Sequence, residues 1–190
     1  MTLMNPRLKE NFRRKASALI FALVPVMAPL VQASTPIPTA SYEVGFSPKA
    51  GALPVILKGI DSARSEILVA AYSFTSKPIS LALASAAKRG VSVRVIADKH
   101  SNNGKYTSVT YLANQGVPVR LTDEFAIMHN KYMVIDKRTV ELGSFNYSSS
   151  ADTRNAENAL LLTNVPELAN DYANDWLRLW ATGEEITKTY

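Results

Sequence analysis

The chain predicts an α/β fold, a mixed and largely covered β-sheet flanked by helices on both faces. Three observations carry that expectation. Short apolar runs of strand length alternate with segments of helical spacing, the pattern of strands joined by packed helices. One of those runs, 67–74, is apolar almost throughout, as a strand covered on both faces requires. The 190 residues, 47% of them hydrophobic, suffice for one domain with its own core and exclude a disordered or collagen-like chain.

Taken in order, 34–39 is a Pro/Ser/Thr-rich extended lead, and 42–46 reads as a short strand. Apolar residues at 53, 56, 57 and 60 mark a helix over 53–63. The buried strand 67–74 follows. Ala and Leu dominate 79–88, and Gly90 stops that helix. Val91, Val93 and Val95 alternate with Ser92 and Arg94 in a strand over 91–97. A helix over 106–114 closes at Gly116, and 117–121 is the next strand. Further strands fall at 132–135, 140–142 and 159–162. Pro166 opens a last helix, on which Trp176 and Trp180 are four apart and share a face.

The first 33 residues have a different grammar. Arg7, Lys9, Arg13, Arg14 and Lys15 form a basic head opposed only by Glu10. An uncharged apolar run from 16 to 31 follows, broken by Pro25 and Pro29, and Val31-Gln32-Ala33 offers small or apolar residues before Ser34. That order is a signal peptide cut after Ala33, which implies a periplasmic or secreted protein and a single mature domain over 34–190. The leader also holds most of the charge imbalance. Net charge falls from +5 for the whole chain to about +1 without it, so affinity for a polyanion has to come from a local patch.

Composition narrows the chemistry. With no Cys, there is no disulfide, thiolate nucleophile or Cys-based metal centre, and the two histidines, His100 and His129, exclude a His-rich one. His129 stands two residues before Lys131, a spacing that places both on one side of a strand about 6–7 Å apart. Ser144 and Asn146 stand in the same relation on the next strand. A symmetric reversal between Asp136 and Thr139 then sets His129 opposite Asn146 and Lys131 opposite Ser144, all four on one sheet face. Such a patch suits a phosphodiester. Lysine, amide and hydroxyl donors meet the non-bridging oxygens, and the imidazole attacks phosphorus or exchanges protons. With no adjacent cluster of acidic ligands, these groups stand where a metal would otherwise act.

The complete string is His129-x-Lys131, four residues, Asp136, six residues, then Gly143-Ser144-Phe145-Asn146. It resembles the HKD motif of the phospholipase D superfamily, and the single copy behind an export signal is similar to that superfamily's small bacterial Nuc-type endonucleases. The resemblance implies a phospholipase D/nuclease-like fold, no cofactor and no metal. It implies that His129 is the nucleophile of a phosphohistidine intermediate, that Lys131 and Asn146 hold the phosphate, and that Ser144 supports them. By the same resemblance Glu157 orients the imidazole, while Asp136 and Gly143 are structural.

That superfamily's mechanism uses two histidines, one attacking and one protonating the leaving oxygen. One motif per chain therefore implies a homodimer pooling two His129 residues in a shared cleft; His100 as an acid within the chain is the alternative. Lys99, His100, Lys105 and Arg154 are candidates for a basic substrate rim, whose contacts would carry affinity for DNA, or RNA, without sequence preference. A small phospholipase D acting on phosphatidyl head groups is the second enzyme reading, and a metal-dependent nuclease using scattered carboxylates a third. A nucleic-acid-binding module is the non-enzymatic one, though binding alone would not need the nucleophile.

Overall fold

The computed structural model describes residues 39–104 and 107–186. The expected leader and Lys105 lie outside them. In chain order the elements are β1 (Ser41–Ser47), α1 (Ala52–Ser62), β2 (Glu66–Ala71), α2 (Lys77–Lys88), β3 (Ser92–Asp98), α3 (Ser108–Asn114) and β4 (Val119–Thr122). They continue with β5 (Lys131–Ile135), β6 (Thr139–Gly143), α4 (Ser149–Thr153), β7 (Glu157–Thr163), α5 (Pro166–Thr182) and β8 (Glu184–Glu185).

The strands form one mixed sheet in the order β1-β7-β6-β5-β2-β3-β4-β8. β2, β3 and β4 run parallel, and β5 lies antiparallel against β2. Period-two alternation divides the apolar side chains between two cores. Ile67, Val69, Val93, Val95, Met133 and Ile135 pack under α1, α2 and α3. Leu68, Ala70, Ile96, Val134 and Val140 face the other way, against Ala169, Trp176 and Leu179 of α5. This is the α/β sheet with helices on both faces that the sequence predicts. The buried Trp176 indole also donates to the Val69 carbonyl at 2.9 Å, tying α5 to the central strand, and its ring stacks on Trp180 at 4.8 Å.

Element ends differ from expectation where a polar group captures the backbone. β2 stops at Ala71, because the Phe74 amide leaves the ladder to donate to the buried Asn102 side chain at 3.0 Å. α2 begins at Lys77, where Ser76 caps and Pro78 suits the first turn. The short α4, a 3₁₀ turn at His100–Asn102 and β8 are too brief to leave a periodic signal.

The β5–β6 register is a correction. Tyr132 faces Leu142 and Ile135 faces Thr139, one residue out of step with the pairing that sets Lys131 opposite Ser144. The reason is a three-residue connection. Asp136 and Lys137 both take positive φ, 51° and 56°, and the Arg138 amide donates to the Ile135 carbonyl at 3.2 Å. Left-handed backbone at two non-glycine residues is strained, and the Asp136 carboxylate offsets it. It accepts from the amides of Arg64, Ser65 and Glu66 and from the Ser65 hydroxyl, at 2.7–2.9 Å. Burial opposes ionisation there, yet these bonds hold the carboxyl below its ordinary pKa. Asp136 thus fixes the hairpin tip to the start of β2, at the opposite end of β5 from His129.

Candidate active site

Because β5 is antiparallel to β2, its first residue, Lys131, pairs with Ala71 at the carboxyl edge of the parallel strands. β6 ends at that same edge. His129 precedes β5 and Ser144 follows β6, so neither belongs to the ladder. This is why the one-residue shift in register does not scatter them. His129, Asn130, Lys131, Tyr132, Gly143, Ser144 and Tyr172 all line one open cavity of about 370 Å³.

Ser144 is placed by the strand beyond it. A Cβ at Gly143 would lie 2.2 Å from the Asn158 carbonyl oxygen, so only glycine lets β6 run this close to β7. The Phe145 amide then donates to that carbonyl at 3.2 Å. The Ser144 hydroxyl accepts from the Asn158 amide at 3.1 Å and donates to Glu157 at 2.6 Å. The other Glu157 oxygen accepts from Asn155 at 3.0 Å. The hydrogen bonds of Glu157 therefore go to Ser144 and Asn155.

Lys131 is buried, and its ammonium donates to the His129 carbonyl at 2.6 Å. Desolvation lowers its pKa, and the Glu157 carboxylate opposes that by favouring the charged form. The exposed His129 imidazole rests 4.6 Å from the Tyr72 ring, which also lies 5.1 Å beneath the Lys131 ammonium. Asn146 does not line the cavity. Its amide oxygen is buried with no hydrogen-bond partner, an uncompensated polar atom of the kind found at functional sites.

Of the rim candidates, Lys99 is engaged by Asp123 at 2.8 Å and Glu184 at 3.3 Å. Those hydrogen bonds raise its pKa, so its charge is locally balanced. His100 is exposed in the 3₁₀ turn after β3, and Arg154 is exposed at the end of α4. Among the described residues, no three His, Asp or Glu side chains group closely enough to hold a metal ion.

Sequence reasoning missed Tyr72, Asp98 and Asn102. Asp98 is buried and accepts from the amides of Ser101 and Met128, at 2.8 and 3.0 Å. Asn102 donates to the Tyr72 and Asp98 carbonyls at 2.5 and 2.8 Å. An Asp closing an apolar parallel strand is the signal that could have revealed Asp98; Tyr72 and Asn102 carried none. A second missed pair is Glu141 and Tyr147, both buried, with the Tyr147 hydroxyl donating to the Glu141 carboxyl at 2.7 Å. The Tyr147 backbone carbonyl accepts from the amides of Thr75 and Ser76 at 2.9 and 2.8 Å, anchoring the segment that carries Ser144 and Asn146.

An ammonium, an imidazole and a hydroxyl sharing a cavity at the carboxyl edge of a mixed sheet form the class of site that receives a phosphoryl group. Comparison with known proteins carries the same class to a family. Residues 56–180 match the family model described as cardiolipin synthase, PLD-like domain. The chain is similar to a phospholipase D of Rickettsia conorii, 37% identical over 132 residues that cover 70% of this chain and 66% of the relative. The fold is similar to that of Nuc, a phospholipase D family member from Salmonella typhimurium. Identity there is 40% and the TM-score 0.77, covering 78% of this chain and 99% of Nuc. NucT from Helicobacter pylori follows at 29% identity and a TM-score of 0.71, covering 78% of this chain and all of that one, 100%. The chain belongs to the phospholipase D superfamily, a group of phosphodiester-acting enzymes.

Glu141 generates a pH prediction. Burial pushes its carboxyl up to about 8, above the unfolded value, so its contribution to stability is complete below about pH 4.5. It is lost as pH rises through 8. Denaturant titrations should therefore show wild-type stability declining between pH 5 and 8 more steeply than that of Glu141→Gln. Equal slopes would remove Glu141 as the cause.

Proposed function

We propose that the protein is an exported endonuclease that hydrolyses DNA with little sequence preference, through a phosphohistidine and without a metal. One observation carries the reading: His129, Lys131 and Ser144 open on one cavity large enough for a phosphodiester and its flanking sugar. The likeness to Nuc and NucT along nearly their whole length supports a small nuclease over a lipid enzyme. The phospholipase D of Rickettsia conorii keeps the phosphatidyl reading as the second one.

In the proposed reaction the Lys131 ammonium meets the non-bridging oxygens, while the Ser144 hydroxyl, its proton given to Glu157, supports the wall of the cavity. An imidazole nitrogen of His129 attacks phosphorus, an N–P bond forms, and the bond to the leaving nucleoside oxygen breaks. The partner's His129 gives that oxygen its proton. It then takes one from water, whose oxygen attacks phosphorus and releases the first imidazole.

The surface for that partner is argued from the sheet. Tyr42, Val44 and Phe46 project on the face that α5 occupies elsewhere, and are 70%, 46% and 54% exposed. They pair with Leu162, Leu160 and Asn158 of β7, and Leu160 pairs with Leu142 of β6. An uncharged apolar stripe thus runs from the sheet edge to the rim of the cavity. A second copy seated there would cover it and bring its own His129 toward the same cleft.

Export rests on the order of basic head, apolar run and small-residue exit in the first 33 residues. The protein recovered from the cell envelope or medium should begin at Ser34; an intact amino terminus there would refute cleavage. Purified protein should nick plasmid DNA in excess chelator and leave phosphatidylcholine almost untouched, while His129→Ala loses activity by about 10³-fold or more. Abolition by chelator, or faster turnover of the lipid, would replace the reading. Phe46→Glu should sediment as a monomer and lose activity in parallel; a fully active monomer would end the shared-cleft account.

A further inference from the structure

We propose that Tyr72 is a positioning residue whose ring registers the imidazole of His129 against the ammonium of Lys131. The inference rests on the reading of those two groups as the reacting pair. Three contacts meet on one side chain. The Tyr72 and His129 rings lie 4.6 Å apart and are tilted by 59°, within the favourable range for ring pairs. The Lys131 ammonium stands 5.1 Å from the Tyr72 centroid, inside cation–π reach. The same ammonium donates to the His129 carbonyl at 2.6 Å. The Tyr72 ring therefore touches both the imidazole and the ammonium, and the ammonium is tied to the backbone of the residue that carries the imidazole.

The ring is itself held from behind. Tyr72 is the first residue after β2, and its carbonyl accepts from Asn102, whose own amide oxygen takes the Phe74 amide. Asn102 also donates to the carbonyl of Asp98, whose carboxylate binds the amide of Met128, the residue just before His129. The end of β3 and the turn that follows thus fix both segments, Asn102 holding the one that carries the ring and Asp98 the one that carries the imidazole. This is the job of the loop whose His100 was a candidate acid. Among the described residues no hydrogen bond engages the Tyr72 hydroxyl, so the ring is the functional part.

An exposed imidazole at the end of a loop would otherwise sample several rotamers. Attack on phosphorus needs its nitrogen aligned with a diester already held by Lys131, and small misplacements cost large factors in rate. Loss of the ring therefore acts on kcat more than on KM.

The test uses the purified protein with Tyr72→Leu and Tyr72→Phe, assayed on bis(p-nitrophenyl) phosphate, a diester with neither base nor acyl chain. Tyr72→Leu should lower kcat about 10- to 100-fold with KM within about threefold, and Tyr72→Phe should restore kcat to within about threefold of wild type. In NMR spectra the His129 ring signals should shift in Tyr72→Leu while those of His100 stay in place. Wild-type kcat in Tyr72→Leu, equal damage from Phe and Leu, or unmoved His129 signals would each overturn the proposal. Should Tyr72→Leu fail to fold, cross-relaxation between the Tyr72 and His129 rings in wild type decides, and its absence refutes the contact. A wild-type enzyme inactive on every diester would sink the underlying reading, while the ring contact would still be decided by the spectra.

Discussion

The direction of one strand decides where chemistry can occur in this molecule. β5 runs antiparallel beside the parallel β2, so the residue that opens it, Lys131, arrives where β2 and β3 close. The same antiparallel pairing makes β6 end there. Polar side chains at the start of one strand and the end of its neighbour gather at one edge, while the interiors of β2 and β5 remain apolar. A parallel β5 would carry the imidazole to the far edge, beside Glu66 and the hairpin tip. Sheet topology, more than any single contact, turns a linear motif into a cavity.

Buried polar groups hold that edge, Asp98 and Asn102 bonding backbone of other segments and Glu141 the Tyr147 hydroxyl. Asp98 and Asn102 bind the loops after β2 and before β5, and the Glu141–Tyr147 pair binds the segment after β6 to the loop before α2. Asp136 does the same work at the opposite end of the hairpin. Burying a carboxylate or amide is unfavourable unless its hydrogen bonds are met. Once they are met, the arrangement has few alternatives, because releasing any segment leaves a polar group without a partner. That rigidity is what the proposed, alignment-sensitive attack on phosphorus would require.

Much of this was legible in the sequence, for physical reasons that also mark where legibility ended. The strands and long helices announce themselves through apolar period, and Gly90, Gly116 and Pro166 punctuate them. The spacing of His129, Lys131, Ser144 and Asn146 brought the first three to one cavity but not Asn146, and it survived an error in register because His129 and Ser144 leave the ladder. The register was not legible, since it depends on positive φ at Asp136 and Lys137, stabilised by amides more than sixty residues earlier in the chain. Tyr72 and Asn102 were not legible either. Their roles arise from the pairing of β2 with both β3 and β5, and an aromatic at the end of an apolar run carries no mark separating it from core.

Electrostatics ties the proposed dimer to the buried carboxyl behind the site. A chain close to neutral without its leader has no long-range field to gather a polyanion, and Lys99 is already matched by two acids. In the proposed reaction, attraction would rest mainly on Lys131 at the cavity, whose low exposure strengthens it. A negative charge at Glu141, two residues before Gly143 on β6, would work against that attraction. Burial instead raises the Glu141 carboxyl to about 8 and so favours its neutral form, which bonds Tyr147. Two copies sharing a cleft would double the local cations while hiding the apolar stripe of β1, and the same association that completes the chemistry would concentrate the field that a single near-neutral domain lacks.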